Sequence, residues 1–550
     1  MKKGIALVIL MLMFMSMLLA CGNSGGSTGS TPASGSGGTT GSTSSSGSSG
    51  STGSTPPSSG SATNSGTGTP VSTVKYADEI TIITDGLAVA HLDPSKPGTS
   101  TGGFIYTLKC GWDRLIYRDE KGQYFPMLAT EWGSDDLQTW TFKLRNDVTF
   151  HNGEKFTAQD VVYTINRMKA NMGTLGYGIW GFVDTVNTPD DYTLEIILTS
   201  PNVEFEFFIS QGEAIIVNEK AITDDPENGH LIGTGCFTIK EFIPNNYWVL
   251  ERNDNYWGEK AITKTLIFRQ ITEASTQTMM MLNGEAQIAV MLPPSDLELF
   301  IDNPKYEVFH HNMPNPMPIC FNMSDPITGD KNFRYAVAAA TRRDEIGYAT
   351  QIYYSLPEDG VMGPYFMPFR NTSIPMFPED IEKAKEYLAA SSYKGETVTI
   401  TAYLSVTSAE LLQQQLSEIG IKTEIVQTDP AGLPAFVAWD NNITQILVAS
   451  YAIGQNESGL RNLLYPRMNY NRQHYENPRV TELFDKVILE PDKEKRREMH
   501  YEIQSIVADD LPYYNLYYGD RFVIGAKGIG GFTIHPDVFY DFRYVYWQKD

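Results

Sequence analysis

Thr139-Trp140-Thr141-Phe142-Lys143-Leu144-Arg145 decides how this chain folds. Large apolar side chains at 140, 142 and 144 alternate with polar ones, the period of a strand with one face buried and one in water. Val148-Thr149-Phe150 repeats the pattern, and Asn152-Gly153 supplies a tight turn that tolerates positive φ. Thr157 then caps a helix whose Val161, Val162, Ile165 and Met168 fall on one stripe, with Asp160 near its positive start. Upstream, Ile80-Thr81-Ile82-Ile83 reads as a strand leading to a turn at Leu92-Asp93-Pro94.

Further along, the period changes. Ile381, Ala384, Tyr387 and Leu388 mark a helix, Thr397 to Leu404 a strand, and Leu412, Leu416 and Ile419 a second helix stopped by Gly420. Ile421 to Val426 is the next strand, and this β-α-β spacing predicts parallel strands joined by a right-handed crossover. Two amphipathic helices follow, one through Val480, Leu483, Phe484 and Val487, the other through Met499, Ile503, Ile506 and Val507. The last strands are rich in Tyr and Phe. A body this long exceeds one hydrophobic core, so a mixed α/β fold in two lobes is expected.

The N-terminal end sets the address. Lys2 and Lys3 precede an apolar run from Ile5 to Leu19, which is short for a membrane span and closes on Leu18-Leu19-Ala20-Cys21. The segment resembles a bacterial lipoprotein signal, which implies that residues 1–20 are removed and that Cys21 carries the lipid. Residues 21–74 are nearly all Gly, Ser and Thr with a few prolines, a composition expected to form a disordered tether with a reach of about 40 Å. The body is thus expected outside the cytoplasmic membrane, at the cell surface or in the periplasm, anchored by acyl chains.

Composition excludes several classes. The formal net charge is −23, and no basic face is available for a nucleic-acid partner. Cys110, Cys236 and Cys320 allow one disulfide whose pairing the sequence leaves open. Neither zinc-ligand spacing nor a His-Glu-x-x-His helix, Gly-x-Ser-x-Gly elbow or phosphate-binding loop is present, so no metal, cofactor or catalytic residue is expected. The adjacent His310 and His311 face opposite ways on a strand. A surface glycosidase stays open only because carboxylates are plentiful.

Leu128-Ala129-Thr130-Glu131-Trp132, the stretch from Thr139 to Phe156, and Asp160-Val161-Val162-Tyr163 together resemble family 5 extracellular solute-binding proteins. The likeness continues at Gly233-Thr234-Gly235, Glu251-Arg252-Asn253, Tyr256-Trp257, Asn283-Gly284-Glu285, Asn332 to Arg343, Gly420-Ile421-Lys422 and Leu511-Pro512-Tyr513. The resemblance implies a bilobal periplasmic-binding-protein-like fold with hinge strands, its mixed sheets flanked by helices. Lobe I would comprise 75–310 and a return segment 512–550, with lobe II at 311–511. It further implies a monomer that captures a solute by lobe closure and hands it to ABC permease subunits. Arg252, Tyr256 and Trp257 are expected to hold lobe I together.

In peptide-binding members a cleft tryptophan precedes, by three residues, an aspartate that pairs with the peptide amine. Here Tyr451 and Gly454 take those positions, with Ile453 and Asn456 beside them, and Glu457 replaces the carboxylate only if the loop is redrawn. Ser100 and Thr101, and Tyr177 and Trp180 in Gly176-Tyr177-Gly178-Ile179-Trp180, match other regions that approach ligand; the two aromatics stack on solute or pack against the neighbouring helix. The expected ligand is a peptide. Gly454 and the aromatics favour an oligosaccharide instead, and a tethered sensor or adhesin is a third alternative.

Overall fold

The strand through Trp140 forms as its alternation requires, within a four-stranded antiparallel sheet. The structure, a computed structural model, describes residues 75–549 except 85–88, 98–101, 120, 293, 352–360, 364–365, 367–368, 376, 404, 430–431, 441–442, 450–455, 469 and 535–538. The signal segment, Cys21 and the tether lie outside the described residues. In chain order, β1 (Glu79–Ile83) precedes α1 (Gly102–Gly111), and the small sheet begins with β2 (Ala129–Gly133) and β3 (Thr139–Leu144). Trp140, Phe142 and Leu144 are buried, whereas Thr141 and Lys143 are exposed. Gly153 takes the expected turn at φ +86°.

The helix α2 (Ala158–Lys169) starts where Thr157 N–H donates to the Asp160 carboxylate at 3.0 Å, and it buries Val161, Ile165 and Met168. A short helix α3 (Leu175–Trp180) packs beside it, and β4 (Val183–Asp190) and β5 (Thr193–Leu198) complete the small sheet in the order β2-β3-β5-β4. A Cβ on Gly176 would meet Met168 Sδ at 2.2 Å, so any larger residue requires the buried Met168 side chain to move or α3 to draw back from α2. After α4 (Phe205–Ile209) come β6 (Phe237–Ile243), β7 (Tyr247–Arg252), β8 (Thr265–Arg269), β9 (Ile288–Val290) and the long β10 (Tyr306–Phe321). Tyr256 OH and Trp257 Nε1 both donate to the buried Asp113, consistent with a structural role.

The second half supplies α5 (Ile381–Ala390), β11 (Thr397–Tyr403), α6 (Val406–Glu418), β12 (Lys422–Thr428) and β13 (Ile446–Ala449). The crossover through α6 makes β11 and β12 parallel neighbours, and Gly420, at φ +89°, ends the turn after the helix. Next come α7 (Glu457–Leu464), α8 (Pro478–Val487), α9 (Lys493–Asp510) and the long β14 (Tyr513–Ala526). Ten strands form one sheet in the order β12-β11-β13-β10-β14-β9-β1-β8-β7-β6.

Side chains around this sheet divide into separate cores. One gathers Ile80, Phe142, Trp180, Trp248 and Val523, all buried. Others gather Ile319, Ile400, Leu412 and Val448, or Leu460, Phe484, Ile503 and Tyr513. Cys110, Cys236 and Cys320 are buried, and among the described residues none forms a disulfide. Cys236 Sγ lies 3.8 Å from the Cys110 carbonyl in the first core and Cys320 in another, so Cys110 and Cys236 are the pair the fold brings together. Among the described residues no helix is long and apolar enough to cross a membrane.

Phe142 is fully buried and meets Phe205 edge to face at 6.3 Å. Phe142→Ala should therefore cost about 3–5 kcal/mol, read as a lower urea midpoint with an unchanged slope.

Candidate functional site

Strand directions place the site. β11, β12 and β13 are mutually parallel, as are β1, β8 and β9. The two triads are joined through β10 and β14, which are antiparallel to each other. β13 pairs with β10 from Ile446↔Phe321 to Val448↔Ile319, so its carboxyl end points back along β10 towards residue 318. β9 pairs with β14 from Ile288↔Gly525 to Val290↔Val523, so its carboxyl end points the opposite way, towards residue 522. The carboxyl ends of both triads therefore face each other. Between them run residues 310–318 of β10, paired with β14 at 310–312 and 316–318, a span of about 25–30 Å. Carboxyl ends of parallel strands are where open α/β sheets hold ligands, and here two such ends share one gap.

By chain position the sequence-predicted residues belong to the connections that follow β1 and β13 and to α3. Ser100 and Thr101, outside the described residues, belong to the connection from β1 to α1. Tyr451, Ile453 and Gly454, also outside them, belong to the connection from β13 to α7. Asn456 is described: its side chain caps α7 and accepts from the Gly459 N–H at 3.0 Å. Tyr177 is half-buried on α3, its N–H donating to Thr174 Oγ1 at 3.2 Å. Trp180 is fully buried in the first core, edge-on to Phe205 at 6.4 Å. In this conformation it is a wall, and no ring face is open for stacking.

Three determinants escaped the sequence reading. Asp93 in the loop after β1 takes a two-bond clamp from Arg167 of α2, at 2.8 and 2.5 Å, and accepts from the Ser95 N–H and hydroxyl. Burial alone would raise its pKa, but the Arg167 bonds and charge, with Ser95, hold it well below the usual carboxylate range. Pro94 O accepts from the Gly176 N–H at 2.9 Å, which ties the same loop to α3. Glu204, just ahead of α4, accepts from the Ser458 N–H of α7 at 3.0 Å and pairs with its hydroxyl. Asp93-Pro94 was visible as a turn without its partner, and nothing local to Glu204 announces Ser458.

Among the described residues no group of three or more His, Cys, Asp or Glu is placed to hold a metal ion. His311 Nε2 is 2.9 Å from Tyr540 OH. A surface groove of 860 Å³ near Pro466, Pro478, Leu489 and Met499 includes none of the predicted residues.

Residues 123–467 match the family described as bacterial extracellular solute-binding proteins, family 5 (middle region). The chain is 23% identical over 504 residues to the glutathione-binding protein GsiB of Pectobacterium atrosepticum, covering 87% of this chain and 96% of the relative. It is 23% identical over 505 residues to the periplasmic oligopeptide-binding protein OppA of Escherichia coli, covering 84% and 91%. The crystal structure of the ABC transporter substrate-binding protein CtaP from Listeria monocytogenes superposes with a TM-score of 0.74 at 23% identity, covering 86% of this chain and all of that one.

Asp93→Asn would leave the Arg167 guanidinium largely buried without its counter-charge, a loss of about 3–5 kcal/mol at neutral pH. Because the folded-state pKa is depressed, the stabilisation is present above about pH 4 and is lost as pH falls through the folded value. Wild type and variant should therefore differ by a constant amount down to about pH 4 and draw together progressively below it, checked by urea titrations from pH 7 to pH 2.

Proposed function

The chain belongs to family 5 of the bacterial extracellular solute-binding proteins, and on that footing we propose that it captures a peptide-type solute between two lobes and passes it to an ABC permease. The observation that carries this reading is the pair of parallel-strand ends facing each other across the β10–β14 ribbon. A solute held there touches both halves of the sheet, so closure about the ribbon would bury it and exclude water. The ribbon supports lobe segments at 75–310, 311–511 and 512–550. Relatives named for glutathione and oligopeptides favour a peptide cargo.

In this proposal Ser100, Thr101, Tyr177, Tyr451, Ile453, Gly454 and Asn456 read the solute, and Trp180 supports them from behind. The relatives are binding proteins, which supports capture without catalysis. The apolar run before Cys21 supports a lipid anchor on the outer face of the cytoplasmic membrane, and the proposed carrier acts as a monomer. One observation favours an oligosaccharide: Gly454 offers no carboxylate where peptide-binding relatives are expected to hold a free amine.

Native mass spectrometry of the purified protein should show a bound peptide, and free peptide at about 100 times its Kd should add about 2.7 kcal/mol of stability, seen as a rise in Tm. Neutral sugars shifting Tm while peptides do not would reverse the cargo; no response to either would sink the solute reading. Gly454→Asp should gain about tenfold in affinity for peptides with a free amino terminus and leave sugar binding unchanged, measured by calorimetry.

A further inference from the structure

Glu204 and Ser458 join two cores across 254 positions of sequence. Glu204 immediately precedes α4, whose Phe205 and Ile209 are fully buried in the first core. Ser458 lies in the first turn of α7, whose Leu460, Leu463 and Leu464 are buried in another. Its N–H donates to Glu204 Oε1 at 3.0 Å, its hydroxyl pairs with Oε2, and the Glu457 N–H also bonds the carboxyl. These first-turn amides have no helical acceptor of their own. The carboxyl of one half of the molecule thus completes a helix end of the other, two residues beyond Asn456 and the connection that carries Tyr451 and Gly454.

The charges around the contact are unusual. Burial, then the neighbouring Glu457, pushes the Glu204 carboxyl up to about 8. Glu457 is itself held by Arg496 Nε at 3.1 Å and His500 Nε2 at 2.9 Å, and Arg496 offsets part of the effect on Glu204. From the first half, Tyr124 faces the same group, its phenol raised by burial and by Glu206, Glu204 and Glu457 against the pull of Arg118. Glu206 is engaged by Trp132 Nε1 at 2.6 Å. A neutral acid fits this setting: Oε1 accepts the Ser458 N–H, and the carboxyl proton can lie between Oε2 and the Ser458 hydroxyl.

We propose that Glu204 is a positioning residue for solute capture, a neutral carboxylic acid that clasps the exit of the 450–455 connection to the opposite lobe and lets go when it ionises. The proposal rests on reading that connection as solute-contacting. Free glutamate titrates near about 4.3. Between there and the clasped value the released side chain ionises while the clasped one keeps its proton. Clasping is therefore fully favoured in acid and weakens by about tenfold per pH unit through that window.

Hydrogen–deuterium exchange of the full chain at pH 5.5 and pH 8.5, corrected for intrinsic rates, reads the clasp without any ligand. In wild type, protection of the peptide covering 456–462 should fall at least tenfold at the higher pH. Glu204→Gln, the neutral isostere, should keep protection at both values; Glu204→Ala should lack it at both, and Ser458→Ala should weaken it. Peptides from β3 should be unchanged in every variant, reporting an intact fold. Protection that ignores pH in wild type, or a glutamine variant that behaves like the alanine variant, overturns the clasp. Peptide-induced Tm shifts are scored separately, so a clasp that behaves as described while no peptide binds overturns the solute reading and leaves the clasp standing.

Discussion

The antiparallel pairing of β10 with β14 is the constraint on which the remaining structure depends. Parallel strands need crossover connections, and α6 between β11 and β12 is one; such connections cover the faces of a sheet and leave its carboxyl ends open. One parallel sheet would offer a single open crest. Two parallel triads joined through a reversing ribbon offer two crests, and the reversal turns each towards the other. Had β10 and β14 been parallel, one crest would face outward and no shared gap would exist. Pro316 and Pro318, both buried, lie in the stretch of this ribbon beyond the end of β13. Prolines cannot donate to a further ladder, so the ribbon's free edge resists recruiting another strand.

Three buried carboxylates divide the work of holding this frame. Asp93 is kept ionised by Arg167 and pins the loop leaving β1. Asp113 is raised by burial against the donors Trp257, Thr234 and Tyr256, and gathers segments from both ends of the first core. Glu204 is raised as well, but its donors come from a different core. A carboxylate matched to a guanidinium fixes a structure at every working pH. One matched only to amides and a hydroxyl, beside a second glutamate, fixes it conditionally.

Legibility in the sequence followed the range of the interaction. The alternation at Trp140, Phe142 and Leu144, the Thr157 cap and the β11–α6–β12 unit are set by neighbours within a few residues, and each formed where expected. The ribbon was not legible as structure, because Met313-Pro314-Asn315-Pro316-Met317-Pro318 reads against any strand. The sequence suits Trp180 equally to stacking or packing, and its burial against Phe205 in the first core is packing. Asp93–Arg167 and Glu204–Ser458 span 74 and 254 positions, and no single-chain periodicity encodes such pairs.

These long-range pairs also fasten the two connections assigned to the solute in the proposed function. Residues 91–97 are held through Asp93 and Pro94, and α1 begins at Gly102, so the connection bearing Ser100 and Thr101 is fastened on both sides. Ala449 ends β13 within the sheet and Asn456 caps α7, so the connection bearing Tyr451 and Gly454 is fastened likewise. On the proposed reading, a solute need not pay the whole entropy of ordering long loops, and its contact free energy would be left to drive the lobes together. Asn456 is the anchor whose neighbour reaches across to the other core. On the proposed reading, whatever sets the protonation of Glu204 therefore acts at the point where recognition by one lobe would be coupled to closure upon the other.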